Sequence, residues 1–275
     1  MAEARLMANF DHANLVSVTD LGEAPEHEVL YSAMPYISGL TLASIISKYD
    51  ADATHITWII IKVLRALDYA HKVRDERGRA LKICHRDISP ENILVGFGGQ
   101  VKLIDFGIAL SSINPRNTRM HIIKGKLDFL SPEQANGQHI DHRTDIYSTG
   151  LLFYTLLTGF NPLAGDPLTA LDRARNPQYR PVSDFVVVPD EIVFLLQRML
   201  SMEPAQRPND AGEIARELQS ILRHSAVYYD DLTFFDWIQS TFVNDIQHEN
   251  AFLSSRNKGT QIIESPGHQN THTSK

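Results

Sequence analysis

The sequence predicts an α+β fold, in which short strands come first and helices fill the second half of the chain. Residues 15–21 and 28–34 favour strands and enclose a polar turn, which predicts a β-hairpin. A second hairpin is predicted for residues 92–95 and 100–104, because the segment between them is rich in glycine. These two hairpins account for the β part of the prediction.

The helices are predicted from the spacing of apolar residues. From Thr54 to His71 the aliphatic side chains recur every three to four positions, which is typical of a helix with one buried face. Residues 145–157 are apolar on nearly every face, which predicts a helix inside the core. Further helices are predicted over residues 190–200, 210–224 and 234–252.

Composition narrows the class of protein. The 275 residues are 43% hydrophobic and 21% charged, as in a globular protein with a sizeable core. A formal charge of -7 argues against a nucleic-acid partner, and the single Cys84 indicates a reducing compartment. The longest apolar run, residues 151–157, is too short to cross a membrane, and residues 1–11 lack the apolar core of a signal peptide. These features predict a cytoplasmic protein without a membrane segment in this chain.

Two motifs carry the chemistry. The first is HRDISPEN at residues 85–92, and the second is DFG at residues 105–107, at the end of the second hairpin. At ~5% per residue type, chance produces their seven shared positions roughly once per billion start points. The pair resembles the catalytic loop and metal loop of the eukaryotic-like (bacterial Hanks-type) serine/threonine protein kinases. The resemblance implies a protein-kinase-like fold with a mostly helical large lobe, and transfer of the ATP γ-phosphate to a protein substrate with Mg²⁺.

The resemblance assigns a role to each motif residue. Asp87 would orient the substrate hydroxyl and accept its proton. Asn92 and Asp105 would bind Mg²⁺ through oxygen atoms, the ligands that this hard cation prefers. Packing and turn roles fall to three neighbours: His85, Phe106 and Gly107.

Other segments match the same family in order. Ser131-Pro132-Glu133 is similar to the end of the activation segment, and Asp145 to the start of the buried central helix. Arg207 stands where the family has an arginine paired with the glutamate of that segment, here Glu133. These residues are expected to be architectural.

The resemblance also implies a hinge that binds adenine. Met34 would be the gatekeeper, and the carbonyl of Pro35 with the backbone of Ile37 would bond adenine. Proline lacks only the N–H, so the Pro35 carbonyl stays available. Leu94 would form the floor beneath adenine. Without the motifs, each of these residues is equally well interpreted as ordinary core.

The sequence departs from the family at its start. Glu3 lies nine residues before His12, which is the spacing at which the family places its helix-C glutamate before a histidine. The Gly-rich loop and the strand-three lysine of the family do not occur ahead of Glu3 in this sequence. We therefore expect the coding sequence upstream of Met1 to encode the missing strands, and an unrelated sequence there would contradict this. Residues 1–35 are then a remnant of the small lobe.

Two further departures lie beside Asp87. Ser89 replaces the usual lysine, and Lys126 stands where most serine/threonine kinases have threonine. One interpretation is an exchange in which Lys126 supplies the cation for the transferred phosphate; the other is an exposed lysine and weaker phosphate stabilisation. Arg86 is typical of kinases activated by phosphorylation, with Thr118 as the candidate acceptor or a plain loop residue.

The predicted division of the chain follows. Residues 1–224 form the kinase domain, with the large lobe at 36–224, a helical extension at 225–253 and a disordered tail at 254–275. Serine/threonine specificity is predicted because the segment after Asp87 lacks the Ala-Ala-Arg or Arg-Ala-Ala run of tyrosine kinases. The alternative is a pseudokinase or regulatory binding module. A small-molecule kinase fits less well, because the 131–133 segment and Arg207 belong to the protein-kinase pattern.

Overall fold

A computed structural model describes residues 10–24, 29–105, 127–224 and 228–259. Strands β1 (Asp20–Ala24) and β2 (Val29–Ala33) form an antiparallel pair, with Asp20 opposite Ala33. The prediction of a first strand at 15–21 is wrong by several residues. Leu15 is buried and forms a parallel bridge to Leu103, so this apolar segment belongs to the main core.

A second sheet has the order β3-β4-β5 and is antiparallel throughout. Strands β4 (Ile93–Gly96) and β5 (Val101–Leu103) are the hairpin that the sequence predicted. Strand β3 (Gly39–Thr41) was not predicted, since three residues carry too little periodicity to distinguish a strand. This sheet joins the segment after β2 to the two strands that follow the HRD motif.

Nine α-helices are present among the described residues. They are α1 (Leu42–Lys48), α2 (Ala53–Lys72), α3 (Pro132–Ala135), α4 (Arg143–Thr158), α5 (Pro167–Arg175), α6 (Asp190–Met199), α7 (Ala211–His224), α8 (Asp231–Thr241) and α9 (Val243–Gly259). The helices predicted at 54–71, 145–157, 190–200 and 210–224 appear as α2, α4, α6 and α7. Helices α1, α3 and α5 were not predicted; they are short, and their sequences are mixed.

Helices α2 and α4 organise the core. The carboxylate of Asp52 caps α2 by accepting hydrogen bonds from the amides of Thr54 and His55, both at 2.9 Å. Helix α2 packs against α4 and α7, and nearly every α4 side chain is buried, as predicted. A Cβ added at Gly150 would lie 2.8 Å from the Met199 Cβ, so glycine permits the close approach of α4 and α6.

The C-terminal extension consists of two helices rather than the single helix predicted for 234–252. The chain leaves the helical conformation at Phe242, between α8 and α9. Phe234, Ile238 and Phe242 are all buried, so the apolar spacing continues across the break and does not reveal it. Helix α9 extends to Gly259, so the predicted disordered tail does not begin at residue 254; the rest of that prediction, residues 260–275, lies outside the described residues. A polar, exposed helix has no apolar face to detect.

None of the helices in the described ranges combines the length and the hydrophobicity needed to span a lipid bilayer.

Candidate active site

The loop with the HRD motif follows α2 and rests on the buried carboxylate of Asp145 at the start of α4. Asp145 accepts hydrogen bonds from the backbone amides of His85 and Arg86, both at 2.8 Å. The Nε2 atom of His71, near the end of α2, lies 2.8 Å from the same carboxylate. Because Asp145 is fully buried, these bonds are well shielded from water, and they fix the loop to two core helices.

The pKa of Asp145 is lowered although its burial acts to raise it. The hydrogen bond from His71, the electrostatic attraction of that side chain and the bond from the Arg86 amide outweigh the burial. Asp145 thus contributes stability that is complete above its unfolded pKa near 3.8. That contribution is lost as the pH falls through the lower folded pKa.

We expect Asp145→Asn to unfold more easily at pH 7 and to lose less further stability than the wild type on acidification below about pH 4. Urea unfolding measured between pH 7 and pH 2.5 tests this. Asp172→Asn removes an exposed carboxylate from α5 and serves as the control, with the acid dependence of the wild type. If the free energy of unfolding fell equally on acidification in Asp145→Asn and in the wild type, the lowered pKa of Asp145 would be contradicted.

His85 connects the two motifs. Its Nε2 atom donates to the carbonyl of Ile104 at 2.9 Å, and its Nδ1 atom accepts from the Asp87 amide at 3.3 Å. Complete burial lowers the pKa of His85, so the ring is neutral, with its proton on Nε2 as these bonds require. His85 therefore ties the Asp87 backbone to the residue that precedes Asp105.

Arg86 and Asp105 occupy the left-handed backbone region, with φ angles of 67° and 55°. For residues other than glycine this costs on the order of 1–3 kcal/mol each, and such strain concentrates at functional sites. The Arg86 conformation is stabilised on both sides, since its amide donates to Asp145 and its carbonyl accepts from Gln134 Nε2 at 3.0 Å. The motif therefore depends on contacts from α3 and α4.

Gln134 is a site residue that was not predicted. It forms a capping box with Ser131, in which the Gln134 amide donates to Ser131 Oγ at 3.3 Å and the Ser131 amide to Gln134 Oε1 at 3.0 Å. The serine followed three residues later by glutamine is the signature of that box. This signal was available in the sequence and would have placed Gln134 at the start of a helix.

Asn92 and Asp105 are brought to the same edge of the β4–β5 hairpin. Asn92 Nδ2 donates to the Asp87 carbonyl at 2.7 Å, and the Ile104 amide donates to the Asn92 carbonyl at 2.9 Å. The His85 ring is bonded to the Asp87 amide and to the carbonyl of Ile104, so the residues that carry the two carboxylates are linked through the same side chain. The side-chain nitrogen of Asn92 is engaged in the bond to the Asp87 carbonyl, and its amide oxygen is the group that the sequence analysis assigned to Mg²⁺.

The chemistry of the two predicted oxygen ligands, Asn92 and Asp105, fits Mg²⁺. Within the described part of the chain, no three His, Cys, Asp or Glu side chains form a cluster that would hold a metal ion. One amide oxygen and one carboxylate match the way Mg²⁺ is usually bound, with phosphates and water completing the octahedron. The residues present therefore fit this ion.

Glu133 and Arg207 form the pair that the sequence analysis expected. Their side chains meet in a bidentate contact of 2.7 and 2.8 Å, and both are buried. Thr144 donates to the same carboxylate at 2.6 Å, and Arg207 Nε donates to the Ser201 carbonyl at 2.8 Å. Although burial acts to raise the pKa of Glu133, the bonds from Arg207 and Thr144 lower it. The pair connects α3 to the loop before α7.

The predicted hinge runs from β2 to β3. Met34 and Ile37 are half-buried and Pro35 is exposed. The Phe97 amide, just after β4, donates to the Ser38 carbonyl at 2.9 Å, which attaches this segment to the sheet. Leu94 lies on β4 and is half-buried; it belongs to the strand that begins directly after Asn92.

Of the remaining predicted site residues, the structure describes Ser89 only. Ser89 is buried and precedes the 3₁₀ turn Pro90–Asn92 without a side-chain cap bond. Five other residues lie outside the described ranges: Glu3, Phe106, Gly107, Thr118 and Lys126. The exchange between Ser89 and Lys126 therefore stays a prediction.

Comparisons with known proteins agree with this geometry. A family model described as protein kinase domain matches residues 1–225. The tyrosine-protein kinase MasK of Myxococcus xanthus is 31% identical over 227 residues, which are 80% of this chain and 35% of MasK. A probable serine/threonine-protein kinase of Clostridium perfringens, CPE1738, is 35% identical over 222 residues, 80% of this chain and 31% of the relative.

Two mycobacterial proteins complete the comparison. The serine/threonine-protein kinase PknL of Mycobacterium tuberculosis is 32% identical over 228 residues, 82% of this chain and 55% of PknL. The crystal structure of the M. tuberculosis PknI kinase domain superposes with a TM-score of 0.61 at 26% identity, over 80% of this chain and 77% of PknI. The chain thus spans between about a third and about half the length of these curated relatives. It belongs to the protein kinase domain family and shares its fold.

Proposed function

We propose that this chain is a serine/threonine protein kinase that transfers the γ-phosphate of ATP to hydroxyl groups of protein substrates. The observation that carries the proposal is the connected site of Asp87, Asn92 and Asp105. Asn92 bonds the Asp87 backbone, and His85 links Asp87 to the residue before Asp105. The family resemblance gives these three residues the roles that phosphoryl transfer requires.

Each side chain has a defined task in this proposal. Asp87 orients the substrate hydroxyl and accepts its proton as the new oxygen–phosphorus bond forms and the bond between the γ-phosphorus and the leaving ADP oxygen breaks. Asn92 and Asp105 hold Mg²⁺ through the amide oxygen and the carboxylate. When bound, Mg²⁺ supplies positive charge that neutralises the phosphate oxygens. Lys126 is proposed to supply the positive charge that the usual lysine at position 89 would give to the transferred phosphate.

The nucleotide base is assigned to the hinge. The Pro35 carbonyl and the backbone of Ile37 bond adenine, with Met34 as the gatekeeper and Leu94 as the floor beneath the base. The segment is attached to the sheet through Ser38 and contains two exposed residues, Pro35 and Tyr36. This leaves backbone groups available to a ligand.

Hydroxyl specificity is argued from the loop itself, since the relatives named above include both a tyrosine kinase and serine/threonine kinases. Residues 88–91 read Ile-Ser-Pro-Glu, without the Ala-Ala-Arg run of tyrosine kinases. Transfer from γ-labelled ATP to a generic protein substrate, followed by phosphoamino-acid analysis, tests the proposal. We expect phosphoserine and phosphothreonine. Phosphotyrosine alone would overturn the specificity, and no transfer with no nucleotide binding would favour a non-catalytic binding module.

Mg-ATP should stabilise the folded chain. At 100 times its dissociation constant a ligand adds about 2.7 kcal/mol to the free energy of unfolding, which thermal unfolding detects. Asp105→Asn should lose the part of the shift that requires Mg²⁺, whereas Asp172→Asn on α5 should keep it. Equal shifts for Asp105→Asn and the wild type would exclude Asp105 as a ligand.

Regulation, location and chain division are also proposed. Arg86 Nε is a buried nitrogen that has no acceptor among the described residues, which suits a phosphate partner such as phosphorylated Thr118.

A cytoplasmic location is supported by the half-buried free thiol of Cys84. We divide the chain into a kinase domain, residues 1–224, and a C-terminal extension from residue 225.

A further inference from the structure

The C-terminal extension is docked on the body of the domain. Phe234 is fully buried, and the ring of Phe242 meets that of Tyr49 edge-on at 4.8 Å between centroids. Gln239 Nε2 donates to the carbonyl of Phe97 at 2.7 Å, in the turn between β4 and β5. Helix α8 is therefore held by both apolar and polar contacts, and it fixes where α9 begins.

Helix α9 is attached in a different way. Most of its side chains are exposed, but two carboxylates one turn apart, Asp245 and Glu249, each accept a hydrogen bond from a tyrosine hydroxyl. Asp245 is bonded to Tyr49 at the end of α1, with Lys48 Nζ at 3.4 Å. Glu249 is bonded to Tyr36. Residues four apart lie on the same face of a helix, so one face of α9 contacts both tyrosines.

The Tyr36 contact reaches the predicted hinge. Tyr36 stands between Pro35 and Ile37, and 69% of it is exposed, so core packing does not fix its side chain. Its hydroxyl is bonded to a residue 213 positions further along the chain. The conformation of residues 34–38 is thereby connected to the position of α9.

We propose that Glu249 is a positioning residue for the nucleotide, holding residues 34–38 in place through the Tyr36 hydroxyl. The inference rests on the proposed function, because it takes residues 34–37 as the adenine-binding hinge. Coupling between two sites is reciprocal. Docking of α9 therefore strengthens nucleotide binding, and a bound nucleotide favours the docked position of α9.

The first test is the dissociation constant for Mg-ATP in Glu249→Ala and Tyr36→Phe. Loss of one hydrogen bond corresponds to roughly threefold to tenfold weaker binding. In turnover assays KM for ATP should rise while kcat changes less than twofold. Glu249→Gln keeps an acceptor oxygen and should restore most of the affinity. Gln247→Ala, an exposed change on the same helix, is the control. Equal dissociation constants for Glu249→Ala and Gln247→Ala would overturn the proposal.

The second test does not require nucleotide binding. Hydrogen exchange of the α9 amides should accelerate in Tyr36→Phe by about as much as in Glu249→Ala, although Tyr36 lies far away in sequence. Unchanged α9 exchange in Tyr36→Phe would overturn the inference whether or not Mg-ATP binds. Accelerated exchange, with no Mg-ATP binding to the wild type, would keep the contact between α9 and residue 36. That result would reject the proposed function together with the nucleotide role of Glu249.

Discussion

Asp87→Asn should lower kcat for phosphoryl transfer by about 10²–10⁴-fold, the range for removal of a general base. Asparagine cannot accept the proton of the substrate hydroxyl. The Asp87 backbone should stay in place, because its amide is bonded to His85 and its carbonyl to Asn92. We therefore expect thermal unfolding and the dissociation constant for Mg-ATP to stay close to the wild-type values while turnover falls.

The matched control is Glu91→Gln, which removes one carboxylate from the same loop. Glu91 is exposed and has no role in the proposed chemistry, so turnover should stay near that of the wild type. Steady-state rates with labelled ATP compare the two variants. If Asp87→Asn retained more than a tenth of the wild-type kcat, Asp87 would not be the residue that accepts the proton.

The family and the large-lobe helices could be predicted because their signals are local. The HRD and DFG motifs are contiguous runs, the apolar spacing of α2 persists over several turns, and α4 is apolar on nearly every face. The position of the first strand was not predictable in the same way. Leu15 favours a strand by composition, but its burial against β5 is decided by tertiary packing.

The contacts that hold the site were harder to predict than its residues. Asp145 was expected to be architectural, but its bonds to the amides of residues 85 and 86 join positions about 60 apart in the chain. Backbone partners of a side chain leave no pattern in a single sequence. The bond between the side chains of Tyr36 and Glu249 joins positions 213 apart and also leaves no pattern in the sequence. Gln134 is different, because a capping-box pattern marks it.

Arg207→Ala should lower the free energy of unfolding by about 3–5 kcal/mol, because it leaves the buried carboxylate of Glu133 without its cation. The two side chains are 4% and 2% exposed, so water cannot replace the lost partner. Urea unfolding at pH 7 measures the change. Arg198→Ala breaks a similar contact with Glu217, but the side chains of Arg198 and Glu217 are 50% and 41% exposed. This change should therefore lower the free energy of unfolding by less than about 1 kcal/mol.

A double variant separates the net stabilisation by this ion pair from the cost of a buried carboxylate that has lost its cation. If most of the loss in Arg207→Ala comes from the stranded carboxylate, Glu133→Leu combined with Arg207→Met should recover most of the stability. Lowering the pH towards the ordinary pKa of Glu133 should narrow the gap between Arg207→Ala and the wild type, since a protonated carboxyl no longer needs the cation. The contrary result is a difference in the free energy of unfolding that stays constant from pH 7 to pH 4, with no recovery in the double variant. Arg207 would then stabilise the fold by packing over Tyr147 rather than by neutralising Glu133. The guanidinium carbon lies 4.7 Å from the centroid of the Tyr147 ring.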